Sequence, residues 1–222
     1  MNYTDLHSWN VSPKEAVSIQ TAVRKRIRVV PLDVGSVRLV AGVDVSVKNG
    51  FSQAAIVVLT YPGLERVASV THRMKTVFPY IPGLLTFREG PVIIECVKKL
   101  KTAPDVYIID GQGLAHPRGT GLASHMGVVL GRPSVGSAKS HLFGTFEPPG
   151  RKKGDYSLVK DADGASIGAV LTTRDDTNPV FVSPGHLTDI PSSVRLVLGC
   201  SPRYKIPEPI RAAHSAASLV NP

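Results

Sequence analysis

Three acidic residues occupy positions at which a carboxylate could do chemistry. Asp44 lies between two valines of an alternating segment, so its side chain is predicted to face the side of a strand opposite theirs. Asp110 ends the predicted short buried strand 105–110 and precedes Gly111. This pattern predicts a carboxylate at the carboxyl end of a buried strand, where α/β sheets bind ligands. Glu89 is predicted to lie in the first turn of a helix between them.

If these carboxylates converge, they require a cation, because their negative charges repel one another. Mg²⁺ suits this task, since it prefers oxygen ligands, retains water molecules and binds phosphate oxygens. Two such ions roughly 4 Å apart can activate a water molecule and stabilise the leaving oxygen of a phosphodiester. This chemistry accounts for the residue types, although the sequence alone does not show that the three carboxylates meet; if they do, Mg²⁺ is the expected cofactor, with Mn²⁺ as a substitute.

Each carboxylate also has a purely structural interpretation. Thr86 and Glu89 form a capping-box pattern, which predicts that Glu89 only caps its helix. Asp110 before Gly111 is typical of a turn. Asp44 is harder to explain in this way, because aspartate is depleted in strands and is seldom buried without a partner.

A mixed sheet with helices on both faces is predicted to position these residues. Strands dominate the first part of the chain and alternate with helices later, which indicates an α/β fold. The predicted strands cover 37–45, 54–61, 67–77, 105–110, 134–135, 165–173 and 180–183, and the later helices cover 86–101, 121–130, 187–198 and 209–219. We predict a single domain over residues 1–222, with an exposed loop at 143–155.

Two local signals add detail to this outline. Ser12 to Glu15 is a capping box with proline at the first helical position, so a helix is predicted to begin there. Its apolar stripe is predicted to comprise Ala16, Val17, Ile19, Ala22, Val23 and Ile27. Asn49-Gly50 is a hairpin signal, in a loop predicted to be longer than two residues.

The composition favours a polyanionic partner. Lys and Arg number 26 against 17 Asp and Glu, giving a formal charge of +9; a merely basic protein is the alternative. Cys96 and Cys200 lie far apart in no metal-binding spacing, which indicates buried thiols in a reducing compartment. The first residues lack a signal-peptide pattern, and no apolar run reaches the roughly 20 residues of a membrane helix. We expect a cytoplasmic protein without membrane contact.

Six segments of the chain resemble the endonuclease V family and occur in the family's order. They are 41–46 (AGVDVS), 79–89 (PYIPGLLTFRE), 110–118 (DGQGLAHPR), 136–140 (GSAKS), 182–186 (VSPGH) and 204–214 (YKIPEPIRAAH). Each segment alone is a weak signal, whereas six in order are specific. The resemblance covers nearly the whole chain. This chain differs from many members of the family at His141 and Lys205, where those members have arginine.

The resemblance implies a ribonuclease-H-like fold in which Asp44, Glu89 and Asp110 bind metal. The last position at which the family has an acidic residue or a histidine corresponds to His214. The resemblance implies that His214 binds the metal directly or contacts one of its ligands. The implied reaction is hydrolysis of the phosphodiester one nucleotide 3′ of a deaminated base such as inosine, leaving a 5′ phosphate. The implied partner is DNA that contains deaminated bases, or RNA, and the protein is expected to be a monomer.

Tyr80 is the predicted wedge that separates the strands. Pro79, Ile81 and Pro82 flank it, so the aromatic ring is stiffly mounted and suited to insertion at a base step. The alternative is a tyrosine that covers the core beneath a turn.

A pocket for the flipped base is predicted from Gly83, Leu85, Gly111, Gly113 and Gly136. Glycines allow main-chain groups to approach a base closely, and hypoxanthine differs from adenine in its hydrogen-bonding edge. Read singly, each of these glycines is a turn residue.

Basic side chains are predicted to contact the phosphates. Lys139 and His116 are the candidates for the scissile phosphate, although a solvated lysine is common. Arg118, His186 and Arg211 are predicted contacts of the nucleic-acid backbone, and His186 is also a candidate to orient a carboxylate. A buried histidine that only satisfies the main chain is the alternative for His186.

The principal hypothesis is therefore an inosine-specific DNA endonuclease that initiates repair. An inosine-directed ribonuclease is the first alternative, since nothing in the sequence decides recognition of a 2′-hydroxyl. The second alternative is a non-catalytic binder of distorted nucleic acid. In that case Tyr80 and the basic charge would serve binding, and the carboxylates would have only a structural role. A less specific nuclease or junction resolvase is the third reading.

Overall fold

The computed structural model describes residues 3–219, which form five α-helices, one 3₁₀ turn and an eight-stranded sheet. The helices are α1 (Pro13–Arg24), α2 (Leu85–Lys99), α3 (Leu122–Leu130), α4 (Ile190–Gly199) and α5 (Glu208–Ser218). The strands are β1 (Leu39–Lys48), β2 (Phe51–Thr60), β3 (Arg66–Lys75), β4 (Val106–Ile109), β5 (Ser134–Ala138), β6 (Tyr156–Lys160), β7 (Ser166–Leu171) and β8 (Val180–His186).

The sheet has the strand order β3-β2-β1-β4-β5-β8-β7-β6. The pairs β1–β4 and β4–β5 are parallel, and the other neighbouring pairs are antiparallel. One apolar core joins α2 and α3 to one face, and a second joins α4 and α5 to the other. The predicted mixed α/β sheet with helices on both faces is confirmed.

The amino-terminal helix begins at the predicted capping box. The Ser12 side chain accepts from the Glu15 main-chain N–H, and the Glu15 carboxylate accepts from the Ser12 N–H. The predicted stripe was partly wrong, because Val17 is exposed and Gln20 lies in the buried stripe beside Ala16 and Val23.

The first three strands form the predicted meander, but the first turn is tighter than expected. β1 ends at Lys48 and β2 begins at Phe51, so the loop contains only Asn49 and Gly50. Their φ values are 51° and 77°, the combination that a two-residue type I′ hairpin requires. The prediction of a longer loop was wrong because both strands continue to the turn.

The central strand β1 is buried on both faces. Ala41 and Val43 pack into the core with α2. Gly42 faces α5, and a Cβ there would lie 1.9 Å from the carbonyl oxygen of Pro209. Glycine therefore allows α5 to lie directly on this face, two residues before Asp44.

Two other sequence predictions needed correction. The strand β6 was not predicted; it pairs with β7 after the loop at 143–155. The helix predicted from residue 187 begins at Ile190, because the Asp189 side chain caps it and Leu187 has a φ of 53°.

Within residues 3–219, no helix is both long and apolar enough to span a bilayer.

Candidate functional site

Adjacent strands bring Asp44, Asp110 and Lys139 to one edge of the sheet. The Asp110 main-chain N–H donates to the Val43 carbonyl over 2.9 Å, which places Asp110 beside Asp44. Lys139 follows the last residue of β5, and its Nζ lies 2.7 Å from Asp110 Oδ2. Because β1, β4 and β5 are parallel, the carboxyl ends of β4 and β5 place Asp110 and Lys139 at the same end of the sheet, beside Asp44 in the middle of β1.

The carboxyl-terminal helix supplies His214 to the same place. Its Nδ1 lies 2.7 Å from Asp44 Oδ2. Asp44 therefore points to the α5 face, opposite the side occupied by Val43, as the alternating sequence predicts. Because Gly42 has no side chain, α5 lies directly against β1. This position of α5 allows His214 to contact Asp44.

Glu89 lies in the second turn of α2, one turn later than predicted, and it is buried. The residue at the helix start is Leu84, and no side chain caps it. The interpretation of Glu89 as a capping residue is therefore wrong. The next residue, Gly90, admits Trp9, because a Cβ there would lie 2.5 Å from the indole ring. Packing rather than capping holds this part of the helix.

The site has an excess of negative charge around a buried carboxyl. Burial, together with the charges of Asp44 and Asp110, raises the pKa of Glu89 to about 8. Burial also raises the pKa of Asp110, although the hydrogen bond and charge of Lys139 act in the opposite direction. A cation bound among these oxygens would stabilise their charged forms.

In the present arrangement, other groups occupy the carboxylate oxygens. Lys139 binds Asp110 and His214 binds Asp44. Within the described part of the chain, no three His, Cys, Asp or Glu side chains are grouped closely enough to hold one metal ion. Side-chain rotation would thus be needed for these residues to share an ion. The Glu89 carboxyl fits such an ion, because burial first, and then the charges of Asp44 and Asp110, raise its pKa, and a bound cation would offset these effects.

Tyr80 projects from a loop that is anchored at both ends. Phe78 and Leu84 are buried against Phe87 of α2, and the Arg88 guanidinium donates to the Phe78 carbonyl over 3.3 Å. Between these anchors Tyr80 is 68% exposed. The alternative that it covers the core beneath a turn is therefore wrong.

The end of this loop is fixed at Gly83. Its carbonyl oxygen accepts from Gln20 Nε2 at 2.9 Å, Arg118 Nη2 at 2.7 Å and His116 Nε2 at 2.9 Å. Gly83 has a φ of 78°, a conformation that favours glycine. Arg118 is joined to the same cluster through a 2.6 Å bond from its Nε to Gln20 Oε1.

This cluster gives His116 a different position from the one predicted. The Arg118 main-chain N–H donates to His116 Nδ1, so the proton is assigned to Nε2, which donates to Gly83. Both ring nitrogens are occupied, and burial lowers the pKa of His116 to about 4. The predicted contact between His116 and the scissile phosphate is therefore not supported; the neutral ring holds the Tyr80 loop.

A cavity of about 320 Å³ lies between the Tyr80 loop and the strand ends. Its lining includes Tyr80, Asp110 and Lys139, so it adjoins the carboxylates directly. Of the predicted pocket residues, Gly83, Leu85 and Gly111 line it.

Gly113 and Gly136 do not line this cavity. A Cβ at Gly113 would lie 2.1 Å from the Pro184 carbonyl oxygen, and one at Gly136 would lie 2.6 Å from the Gly111 carbonyl oxygen. These two glycines allow close packing of main chains beneath the site. The structure therefore brings Gly83, Leu85 and Gly111 to the cavity but not Gly113 or Gly136, whose contact with a base stays a prediction.

Comparison with known proteins identifies the family. A model of the Endonuclease V family matches residues 21–215.

The chain belongs to the endonuclease V family.

Endonuclease V from Kosmotoga olearia is 47% identical over 209 residues, covering 94% of this chain and 92% of that protein. The crystal structure of endonuclease V from Streptomyces avermitilis has a TM-score of 0.88 and 36% identity, covering 95% and 93% of the two chains. The predicted family and the hydrolase class are thereby confirmed.

A more distant relative was crystallised with nucleic acid. Endonuclease V from Ciona intestinalis, in complex with a 24-mer DNA containing an inosine followed by a ribo-adenosine, has a TM-score of 0.81 at 26% identity. The match covers 92% of this chain and 95% of the Ciona chain.

Several residues at this site were not predicted from the sequence. Gln112, Leu122 and Leu142 line the cavity, and Gln112 Nε2 donates to the Ser140 carbonyl over 3.0 Å. Gln20, which binds Gly83, was also missed. Of these residues, only Gln20 could have been predicted from the sequence. A glutamine on the apolar side of a helix is expected to be buried and therefore to need a hydrogen-bond partner.

His186 lies away from the carboxylates. It pairs with Ser134 at the start of β5, whereas Lys139 follows the end of that strand, about 16 Å away at ~3.3 Å per residue. Its Nδ1 accepts from the Arg28 main-chain N–H over 3.2 Å. The prediction that His186 orients a catalytic carboxylate is not supported, and the alternative of a buried histidine serving the main chain is favoured.

His186→Ala is therefore expected to lower stability without lowering activity per folded molecule. Loss of the acceptor for Arg28 should reduce the free energy of unfolding by about 1 kcal/mol. Thermal unfolding and single-turnover nicking of an inosine duplex would measure the two effects. A rate loss of more than about tenfold at full folding would restore a functional role for His186.

Arg211 keeps its predicted position near the site. It lies one helical turn before His214, and its guanidinium carbon is 3.6 Å from the centre of the Tyr204 ring. Its Nε also lies 3.3 Å from Glu208 Oε2. These contacts hold the guanidinium at the α5 surface, and its contact with a nucleic-acid backbone stays a prediction.

Proposed function

We propose that this endonuclease V family member nicks DNA at deaminated bases, cutting the phosphodiester one nucleotide 3′ of an inosine and leaving a 5′ phosphate. The observation that carries the proposal is the cavity beside Tyr80, because its lining includes Asp110, which lies next to Asp44 on the adjacent strand. A base held in this cavity would place its neighbouring phosphates beside the carboxylates. The Ciona relative, crystallised with inosine-containing DNA, supports the choice of substrate.

Asp44, Glu89 and Asp110 are the proposed ligands of Mg²⁺, with Mn²⁺ as a substitute and His214 as a ligand or outer partner. Their oxygen atoms suit these ions, and the raised pKa of Glu89 supports a cation there. When bound, such an ion supplies Lewis-acid activation of water and stabilisation of charge on the phosphate oxygens.

Lys139 is proposed to contact the phosphate. Its ammonium group is half-exposed beside Asp110 and lines the cavity. Although burial lowers its pKa, the hydrogen bond and charge of Asp110 raise it overall, so Lys139 stays protonated. It therefore offers a fixed positive charge for an oxygen of the substrate backbone.

The cavity walls are proposed to select the base. Leu85 and Leu122 supply apolar surface, and Gln112 supplies a carbonyl and an amide group. Gly83 and Gly111 also line the cavity, and both have positive φ values that favour glycine. Such a mixture of apolar walls and few polar groups is typical of pockets that hold a flipped base.

Tyr80→Ala is expected to reduce nicking at inosine by roughly 10- to 100-fold, because stacking of a base on an aromatic ring contributes ~1–3 kcal/mol. Tyr80→Phe should retain most of the activity, since the ring and not the hydroxyl performs the insertion. Single-turnover rates on one inosine duplex would measure both variants. Equal rates for the alanine variant and the wild type would exclude the wedge role.

The position of the cut can be read directly from its products. An inosine strand labelled at either end should give one product pair, with the break one nucleotide 3′ of inosine. The downstream product should be a substrate for ligase, because it carries a 5′ phosphate. A break at another position, or a 3′ phosphate, would contradict the proposed reaction.

Cleavage of RNA is the second candidate. The ribo-adenosine after the inosine in the Ciona complex favours it, because a ribonucleotide occupies the position 3′ of the lesion in that ligand. Strands of one sequence that carry deoxyinosine or riboinosine would separate the two candidates. A faster ribo strand would make RNA the preferred substrate.

We further propose a cytoplasmic location and a single domain over residues 1–222. Both cysteines are buried and free, which supports a reducing compartment. The continuous sheet order supports one domain.

A further inference from the structure

The sheet face that carries Asp44 extends beyond the carboxylates toward the β1–β2 turn. In antiparallel strands, directly paired residues lie on the same face. The pairing therefore places Ser46 and Lys48 of β1, Phe51 and Gln53 of β2, and Thr71, Arg73 and Lys75 of β3 on the Asp44 face.

This extension is basic and lacks acidic residues. The sequence has no Asp or Glu between Asp44 and Glu65, or between Glu65 and Glu89, and Glu65 lies at the far end of β2 and β3. Lys48, Arg73 and Lys75 are all exposed. Among residues 3–219 they form no ion pair with an acidic side chain.

A groove of about 130 Å³ runs along this surface. Ser46, Lys48, Asn49 and Arg73 line it, and we call it the outer groove. Gln53 also lines it, and its Nε2 donates to the Leu219 carbonyl over 2.7 Å, so the end of α5 forms one side.

An exposed aromatic ring lies within this basic surface. The Phe51 ring is 41% exposed, and the Arg73 guanidinium lies 4.5 Å from its centre. Surfaces that track nucleic-acid strands combine cations with exposed rings in this way. An acidic protein could also bind a basic surface. The basic surface is, however, continuous with the face that carries Asp44, which favours the substrate strand as its ligand.

We propose that the outer groove binds the sugar-phosphate backbone of the substrate on the 3′ side of the cut. The strand order places the base cavity at β4 and β5, the carboxylates at β1 and β4, and the outer groove on β1, β2 and β3. The cavity and the outer groove therefore lie on opposite sides of the carboxylates. This inference rests on the proposed function, in which the base enters the cavity and the cut lies 3′ of it.

The distance sets a requirement for substrate length. Lys48 lies four residues beyond Asp44 on β1, or about 13 Å at ~3.3 Å per residue. A stacked strand advances ~3.4 Å per nucleotide, so about four nucleotides 3′ of the cut are needed to reach the outer groove. Shorter 3′ arms should not benefit from it.

The test compares a triple variant, Lys48→Gln with Arg73→Gln and Lys75→Gln, on two inosine duplexes. One duplex extends about twelve nucleotides beyond the cut and the other about two. Fluorescence anisotropy in EDTA measures Kd, and single-turnover nicking with Mg²⁺ over a range of enzyme concentrations measures the rate constant at saturation.

For the long duplex, the triple variant should weaken Kd by at least about tenfold and reduce the slope of log Kd against log salt by about 2 to 3. The rate at saturation should stay unchanged. For the short duplex, the wild type and the triple variant should bind alike. The matched control carries Arg151→Gln, Lys152→Gln and Lys160→Gln; it removes the same charge near β6, at the opposite edge of the sheet, and should bind the long duplex like the wild type.

Equal losses on both duplexes, or an equal loss in the control, would overturn the inference and leave only general electrostatic attraction. Unchanged binding of the long duplex by the triple variant would overturn it as well. If the triple variant does not fold, the single changes at Lys48 and Lys75 serve in its place. Failure of the proposed function would appear differently, as an absence of nicking by the wild type on the long duplex.

Discussion

Asp44→Asn should reduce nicking beside inosine by at least about 10³-fold, because losing one metal ligand removes several kcal/mol of stabilisation from the reacting phosphate. Asparagine retains the size of the side chain and one oxygen for His214, so the sheet should be unaffected. Binding of the inosine duplex should be equal or tighter, since a negative charge near the phosphates is removed. Single-turnover rates and anisotropy would measure the two effects.

Asp163→Asn provides the matched control for this change. Asp163 is exposed in the turn between β6 and β7, so the same loss of charge there should leave both rate and binding at wild-type values. Undiminished nicking by Asp44→Asn would reject the assigned carboxylate mechanism. Loss of binding in parallel with the rate would instead indicate that Asp44 serves the structure.

Glu89→Gln should make the metal-free protein more stable at pH 8 while abolishing its response to Mg²⁺. The pKa of Glu89 is raised from 4.5 to about 8, so ionising this carboxyl in the folded protein opposes folding. Glutamine cannot ionise. The free energy of unfolding should rise by several kcal/mol, which raises the unfolding temperature by roughly 5–10 °C for a chain of this length.

The pH dependence follows from the direction of that shift. Between about pH 4.5 and 8 the folded wild type binds more protons at Glu89 than the unfolded chain does. The Glu89 contribution is therefore most favourable below pH 4.5 and is lost as the pH rises to 8. The stability difference between Glu89→Gln and the wild type should be small at pH 5 and largest at or above pH 8.

Metal binding should show the opposite pH dependence. A proton on Glu89 competes with the ion, so the apparent affinity of the wild type for Mg²⁺ should fall by up to about tenfold per pH unit below 8. Calorimetric titration at three pH values would measure it. Glu95→Gln, on the same helix in an exposed pair with Lys98, should leave both the affinity and the activity unchanged. A pH-independent affinity would show that Glu89 is not a ligand.

The sequence located the carboxylates well because strand alternation is a direct geometric rule. Asp44 had to face away from Val43, and Asp110 had to follow a buried strand. The position of Glu89 was less certain, because a capping box and a metal ligand share the same residue type. The start of α2 at Leu85 excludes the capping role, tertiary packing sets that start, and the role of Glu89 as a metal ligand stays a prediction.

The remaining errors arise from contacts between segments distant in sequence. Gly113 and Gly136 looked like pocket glycines, but close main-chain crossings beneath the site account for them. His116 looked like a phosphate contact, but a single carbonyl at Gly83 orients its ring. His186, the last residue of β8, pairs with the start of β5, which is the end far from the carboxylates. The sequence does not show how these two strands pair, so it could not give this position.

The most direct test of the central claim is nicking of a labelled duplex that carries one deoxyinosine, beside a twin with adenine in its place. Each duplex is incubated with Mg²⁺ or with EDTA. We expect one Mg²⁺-dependent break in the inosine duplex, one nucleotide 3′ of the lesion, and an intact twin. Binding of the inosine duplex without any break, or equal cutting of both duplexes, would contradict it.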